Sequence, residues 1–391
     1  MPRSTKEDLS FDDVLLLAER ESGGFGLADE GLTRRVRWLV EWVNERGPYS
    51  SDELRGMTQQ IVRLLATRLK LALDRQRYPA IAQEKIERPI FIIGFARSGT
   101  TLLHSLLAED PEAQSPKSWH MYAPSPPPGT GPVVSERIAY AQRQVEAWMD
   151  FCPAQRPMHP YIDKGAYQLI EDEEVITLDF RNVYPYHFYR IPTLDVMAVP
   201  TSGQDDAFKF HREFLQHLQW NTGFNRWVCK GPSGQMHLDA ILDAYPDALL
   251  VWPHRPLGEI YASNIALRAA IFDTIRGYPS DWSSQAKAHV EALKASVDRL
   301  MANDRIDDPR ILHLSFRDIA TDPMAAVRKV YDRRGLSVST EFETKVENWL
   351  ADPENAADRF GRYPYSYEAF GLDKAWVEDL FSDYSRRFGL V

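Results

Sequence analysis

Residues 89–107, PIFIIGFARSGTTLLHSLL, constrain the fold more than any other stretch of the chain. Ile90 to Ile93 is a short apolar run rich in β-branched residues, which predicts a buried strand. Gly94 to Thr101 is a turn held by two glycines, and Leu102 to Leu107 opens an apolar segment with helical spacing. Strand, glycine turn and helix in that order make a phosphate cradle. Backbone N–H groups of the turn point inward, and the helix N-terminus adds partial positive charge. Ala248 to Trp252 predicts a second buried strand, followed by the turn Pro253-His254-Arg255-Pro256 and a helix from Leu257. With a short strand at Trp227 to Cys229 and a further strand and turn over Ile311 to Ile319, the pattern is α/β. The expected architecture is a P-loop-like central parallel sheet flanked by helices, with ligands at the strand ends.

The cradle departs from that of a nucleoside triphosphatase. Gly94 and Gly99 have the Walker spacing, but Thr100 stands where lysine is required, and the basic residue is Arg97. Such an enzyme needs that lysine and Mg²⁺ at the β- and γ-phosphates. The loop therefore suits a phosphate carrying something other than two further phosphates. A bare connecting turn has no need of Arg97, Ser98, Thr100 and Thr101 among its glycines. A P-loop kinase or NTPase stays as an alternative, as does a non-catalytic nucleotide-binding homologue.

The segment FIIGFARSGTTLLHSLL resembles the 5′-phosphosulfate-binding loop of sulfotransferases that use PAPS (3′-phosphoadenosine 5′-phosphosulfate), in the PRSGTT form of the bacterial branch. Phe95-Ala96 replace that branch's usual residue and proline. The resemblance covers roughly residues 88–375. It implies that Gly94, Arg97, Ser98, Gly99, Thr100 and Thr101 hold the 5′ end. It also implies that Arg255 and Ser263, eight residues apart, grip the 3′-phosphate, a guanidinium fork and a hydroxyl meeting one dianion. Arg359 and Arg362 match a basic, glycine-containing tail that folds over the nucleotide in that family. Lys230 matches the lysine of a Lys-Ser-Pro, with Gly231 in place of the serine. The implied reaction moves a sulfonate from PAPS to a hydroxyl of a small acceptor, giving PAP, with no metal required. Arg97 and Lys230 would stabilise the charge that develops. His120 is the first choice of general base, because imidazole titrates near neutral pH and Trp119-His120 stands where the family has Trp-Glu; His159 is the second.

Four successive acids, Glu171 to Glu174, fit a solvated helix face better than a metal site, although related sequences carry a Glu-Glu pair here, so that one acid could face inward. They are expected on a helix running from Ala166 to Asp179. The prolines from Pro124 to Pro128 predict that Trp119 onward is an extended loop. Tyr184, Tyr186, His187, Phe188 and Tyr189 either line an apolar acceptor site or belong to the core. His211 and His217 sit on different helix faces and are rejected as paired metal ligands.

The chain has 391 residues, enough for a sizeable α/β domain with an appendage. Residues 1–87 are read as a helical extension and 88–391 as the main domain, within which 112–220 form an acceptor-side insertion. Met57, Ile61, Leu64, Leu65 and Leu69 mark a helix in the extension, a region also considered for a homodimer contact. The net charge of -10 argues against nucleic acid as a partner. Cys152 and Cys229 are expected to be reduced core thiols. No apolar run is long enough to span a bilayer, and MPRSTKEDLSFDD has no leader-like apolar core, so a cytoplasmic protein is expected. The aromatic content of 12% favours an apolar or aromatic acceptor.

Overall fold

The computed structural model describes residues 8–24, 29–159, 164–192 and 206–390; the first seven residues, read above for a leader, lie outside them. Three helices come first: α1 (Phe11–Ser22), α2 (Glu30–Asn44) and α3 (Ser51–Arg77). A capping box starts α3, with the Ser50 hydroxyl and Glu53 carboxylate each serving the other's backbone N–H. The helix expected from Asp52 to about Arg77 is present with nearly those bounds, and its buried face runs from Leu54 to Asp74.

The sheet has five strands, β1 (Ile90–Ile93), β2 (Ala113–Gln114), β3 (Arg226–Gly231), β4 (Leu249–His254) and β5 (Ile311–Ser315). Their spatial order is β2-β3-β1-β4-β5, and every pairing is parallel. All four residues of β1 are buried, as a central strand covered on both faces requires. One core lies on the face of Ile90 and Ile92, beneath the helix Pro323–Arg334. The other lies on the face of Phe91 and Ile93, and includes Leu39, Leu64 and Trp252. The N-terminal helices thus bury their apolar side chains in the same core as the sheet. They are also tied by charge to the segment between β2 and β3. Arg35 and Arg68 meet the buried Asp179 carboxylate at 2.7 and 2.8 Å. Cys152 and Cys229 are free and buried.

The cradle takes the expected form: β1, the turn, then α4 (Thr100–Leu107). Gly94 and Gly99 have φ of 131° and 90°, a region L side chains rarely adopt. A Cβ at Gly99 would lie 2.7 Å from the Phe316 ring.

Two local expectations fail between β2 and β3. Ser118–Tyr122 is a short helix, α5, so the extended loop begins only at Ala123; the prolines lie too far on to prevent one turn. The helix expected from Ala166 to Asp179 is a 3₁₀ turn at Gly165–Tyr167 followed by a separate helix, Asp172–Thr177. Glu171 is the N-cap of that helix, and its extended backbone separates the two. Among the described residues no helix is long and apolar enough to cross a membrane.

Candidate active site

Two cavities open at the C-terminal ends of the strands, on either side of the cradle. The first, about 710 Å³, is lined by Arg97 of the loop, Met158, Ser263 and Arg362. The second, about 550 Å³, is lined by Thr101 of α4, His159, Glu171 and Lys230. The consecutive residues Met158 and His159 fall on opposite sides, so a single wall separates them.

Arg97 is part of that wall. Its backbone is left-handed, with φ of 73°, and its guanidinium donates to the Met158 carbonyl and, at 3.0 Å, to the Ser263 hydroxyl. Ser98 is spent within the turn, its hydroxyl donating to the Phe95 carbonyl at 2.6 Å. Thr100 is buried at the helix start, while Thr101 reaches the second cavity. Arg255 follows β4 and lies over the Phe316 ring at 4.6 Å, paired with Glu259 at 3.2 Å. Phe316 also covers Gly99, which puts Arg255 beside the cradle but outside the lining of the first cavity. Arg359 pairs with Glu354 at 3.0 Å and is not part of that lining either.

The second cavity holds a connected polar group. Lys230, from β3, donates to Glu171 and lies 3.4 Å from the Thr101 hydroxyl. Thr101 lies 3.4 Å from His159 Nε2. The Tyr184 hydroxyl donates to the other oxygen of Glu171. Burial pushes the Glu171 carboxyl up, but the Lys230 ammonium, His159 and the Tyr184 hydroxyl together hold it below the usual carboxylate range. Burial and the nearby Lys230 charge lower His159 to about 3, so it is neutral at physiological pH.

His120 is not brought to this group. It lies inside α5, 6% exposed and outside the cavity lining, and its Nδ1 accepts the Lys117 backbone N–H at 3.0 Å. Burial, then the charges of Lys117 and Arg137, hold it well below the usual imidazole range. Its place in the sequence beside the proline run gave no sign that the one-turn helix directs it into the core.

The acids correct the sequence reading outright: Glu171, Asp172, Glu173 and Glu174 are all buried. Each has a partner remote in sequence. Ser233 donates to Glu173 through both its backbone N–H, at 2.9 Å, and its hydroxyl. Glu174 accepts the Glu171 N–H at 3.0 Å and faces His187 Nε2 at 3.3 Å. Burial and then the Glu171 charge raise Glu173 and Glu174 to about 8, so both are largely protonated at neutral pH. This crowding also accounts for Gly231. A Cβ there would lie 3.2 Å from carboxylate oxygens of Asp172 and Glu173, so the serine of related sequences would require both acids to shift by a few tenths of an ångström.

The pH dependence of folding follows with a definite sign. Glu174 has a folded pKa near 8 and an unfolded one near 4.5, so its contribution is present below 4.5 and is lost as pH rises toward 8. The stability difference between the wild type and Glu174→Gln, read from urea midpoints, is expected to move against the wild type between pH 5 and 8. Parallel curves for the two proteins would contradict this burial-driven shift.

The aromatic cluster divides between the two readings offered above: Tyr186 lines the second cavity, while His187 and Phe188 are fully buried. His211 and His217 have separate partners. His211 joins Asp172 and Cys229 in a buried trio of ligand-type atoms within 4.8 Å of one another. Its two nitrogens are already engaged, with Asp172 at 3.1 Å and the Tyr245 hydroxyl at 2.7 Å. A cation there would have to displace one of those hydrogen bonds.

A parallel α/β sheet with a lysine-free phosphate cradle and a second cavity against it defines a group-transfer enzyme of the P-loop-like class. The model of the sulfotransferase family matches residues 89–340, and the chain belongs to that family. It is therefore an enzyme that transfers a sulfonate group to a hydroxyl. Omega-hydroxy-beta-dihydromenaquinone-9 sulfotransferase Stf3 of Mycobacterium bovis is 24% identical over 304 residues, 74% of this chain and 73% of that protein. The same enzyme of Mycobacterium tuberculosis matches equally. Among solved structures, sulfotransferase STF9 from Mycobacterium avium superposes with a TM-score of 0.75 at 23% identity, covering 100% of this chain and 99% of that one. STF1 from Mycobacterium tuberculosis gives 0.70 at 23% identity, over 97% and 100% of the two chains.

Proposed function

We propose that the sulfonate donor is PAPS, bound in the first cavity with its 5′ end in the cradle, and that the acceptor hydroxyl enters the second. The observation that carries this reading is the shared wall. Arg97 stands on the donor side, and Thr101, His159 and Lys230 stand on the other, so two substrates could meet across Met158–His159. The residues suit the donor: loop amides and Thr100 for the 5′-phosphate, with Ser263, Arg362 and a reoriented Arg255 for the 3′-phosphate. A volume of about 710 Å³ falls within the range of small-molecule sites. When bound, PAPS supplies an activated sulfonate and a phosphate leaving group.

In this reading Glu171 accepts the proton of the acceptor hydroxyl, and Thr101 and His159 orient that hydroxyl. Lys230 has two calls on its charge. As its ammonium turns from Glu171 toward the sulfonate, the carboxyl loses a lowering partner while burial continues to push it up. The base thus strengthens when the donor is in place. The rim aromatics Tyr167, Tyr186 and Trp349 fit an acceptor with aromatic character, in keeping with the menaquinone derivative named for the mycobacterial relatives.

Calorimetry with PAP, without Mg²⁺ and with ATP as competitor, tests the donor. Arg255→Ala is expected to weaken PAP binding about 10- to 100-fold, the worth of one charge-assisted contact to phosphate of about 1.5–3 kcal/mol. Preference for ATP, or indifference to the substitution, would refute the assignment.

A further inference from the structure

We infer that the acceptor presents a second hydroxyl, about one helical turn from the reacting one, and that His104 receives its hydrogen bond. The inference rests on the reading of the second cavity as the acceptor site. His104 lies one turn beyond Thr101 on α4, and both line that cavity. It is 1% exposed. Its ring hydrogen-bonds the Val228 carbonyl, while Nε2 has no partner among the described residues. The N–H directed at Val228 therefore belongs to the other nitrogen, and Nε2 is a bare acceptor. Burial and then the Lys230 charge keep the ring neutral, with its pKa lowered to about 3, so Nε2 does not gain a proton at working pH.

A second orphan lines the same cavity. Gln168 is 8% exposed, and its Oε1 likewise has no partner among the described residues. Buried acceptors left unpaired carry a desolvation penalty, and a ligand that supplies donors removes it. A mono-alcohol brings its one hydroxyl to Thr101 and His159 and leaves His104 and Gln168 unpaired. A dihydroxyarene or a sugar ring supplies further donors at the required separation. The shared chemistry is a polyhydroxyl acceptor, and Tyr186 and Trp349 at the same cavity suit the flat face of either kind of ring.

The test is sulfonate transfer from PAPS to matched acceptors: phenol against resorcinol and hydroquinone, whose hydroxyls have the required separation, and cyclohexanol against methyl glucoside. The first set detects a dihydroxyarene, the second a sugar. At least one polyol is expected to exceed its mono-alcohol about tenfold in kcat/KM, the equivalent of 1.4 kcal/mol. His104→Leu should bring that ratio close to one, and His104→Gln, which keeps an acceptor atom, should restore part of it. PAP affinity should be unchanged in both. Equal turnover of mono-alcohol and polyol overturns the inference, as does a ratio unaffected by His104→Leu. So does turnover of none of them by a protein that still binds PAP. Failure to bind PAP at all would instead overturn the nucleotide reading beneath it.

Discussion

Glu171→Gln is expected to lower kcat by about 10²- to 10⁴-fold, the range for loss of a general base, with PAP affinity unchanged. Glutamine keeps nearly the same shape and can still accept from Tyr184, but it cannot take the proton of the acceptor. The carboxyl is held below the usual carboxylate range by Lys230, His159 and Tyr184 against the opposing effect of burial. The acid limb of kcat/KM for PAPS, which reports the donor-free enzyme, should therefore lie below that range, activity falling as pH drops through the depressed pKa, and the limb should vanish in the variant. Glu173→Gln is the control, because Glu173 faces Ser233 rather than the acceptor cavity. A Glu171→Gln enzyme within about tenfold of wild-type kcat would move the base to another group, and His159 would be next in line.

Lys230→Met should have the largest effect on stability. The side chain is 3% exposed and pairs with Glu171, whose side chain is 11% exposed. Removing one member of a buried pair leaves the other charge unpaired, at a cost of about 3–5 kcal/mol. The double variant Lys230→Met/Glu171→Gln should recover much of this, since neither charge is then left alone. Urea unfolding of the four proteins of this cycle gives the coupling directly. Additive losses would mean that water or another group compensates Glu171 and that the pair is not the unit described.

The cradle was readable from sequence because its determinants are local. The strand Ile90–Ile93, the two glycines and the helix start lie within a dozen residues. The flanking acids were not readable, because their burial is decided by partners that the fold brings from afar. Lys230 is 59 residues from Glu171, and Ser233 is 60 from Glu173. Four acids in a row show high charge but not its compensation. His120 was chosen from its position in the chain, but the direction of its side chain is set by α5, which buries it away from the cavity. His104 was passed over because, within an apolar helix start, it carries no signal that one ring nitrogen lacks a partner.

The helix α4 has a consequence for how specificity can be inherited. Its N-terminus belongs to the cradle proposed for the donor, and its flank, through Thr101, His104 and Ser105, forms one side of the other cavity. A graft of residues 112–220 from a relative would therefore carry over only part of the acceptor's surroundings. The remainder is encoded next to the most constrained segment of the chain, where a change made for a new acceptor also disturbs the donor's seat. On the reading proposed above, acceptor choice is not a detachable module, and a transplant of it would have to include the face of α4.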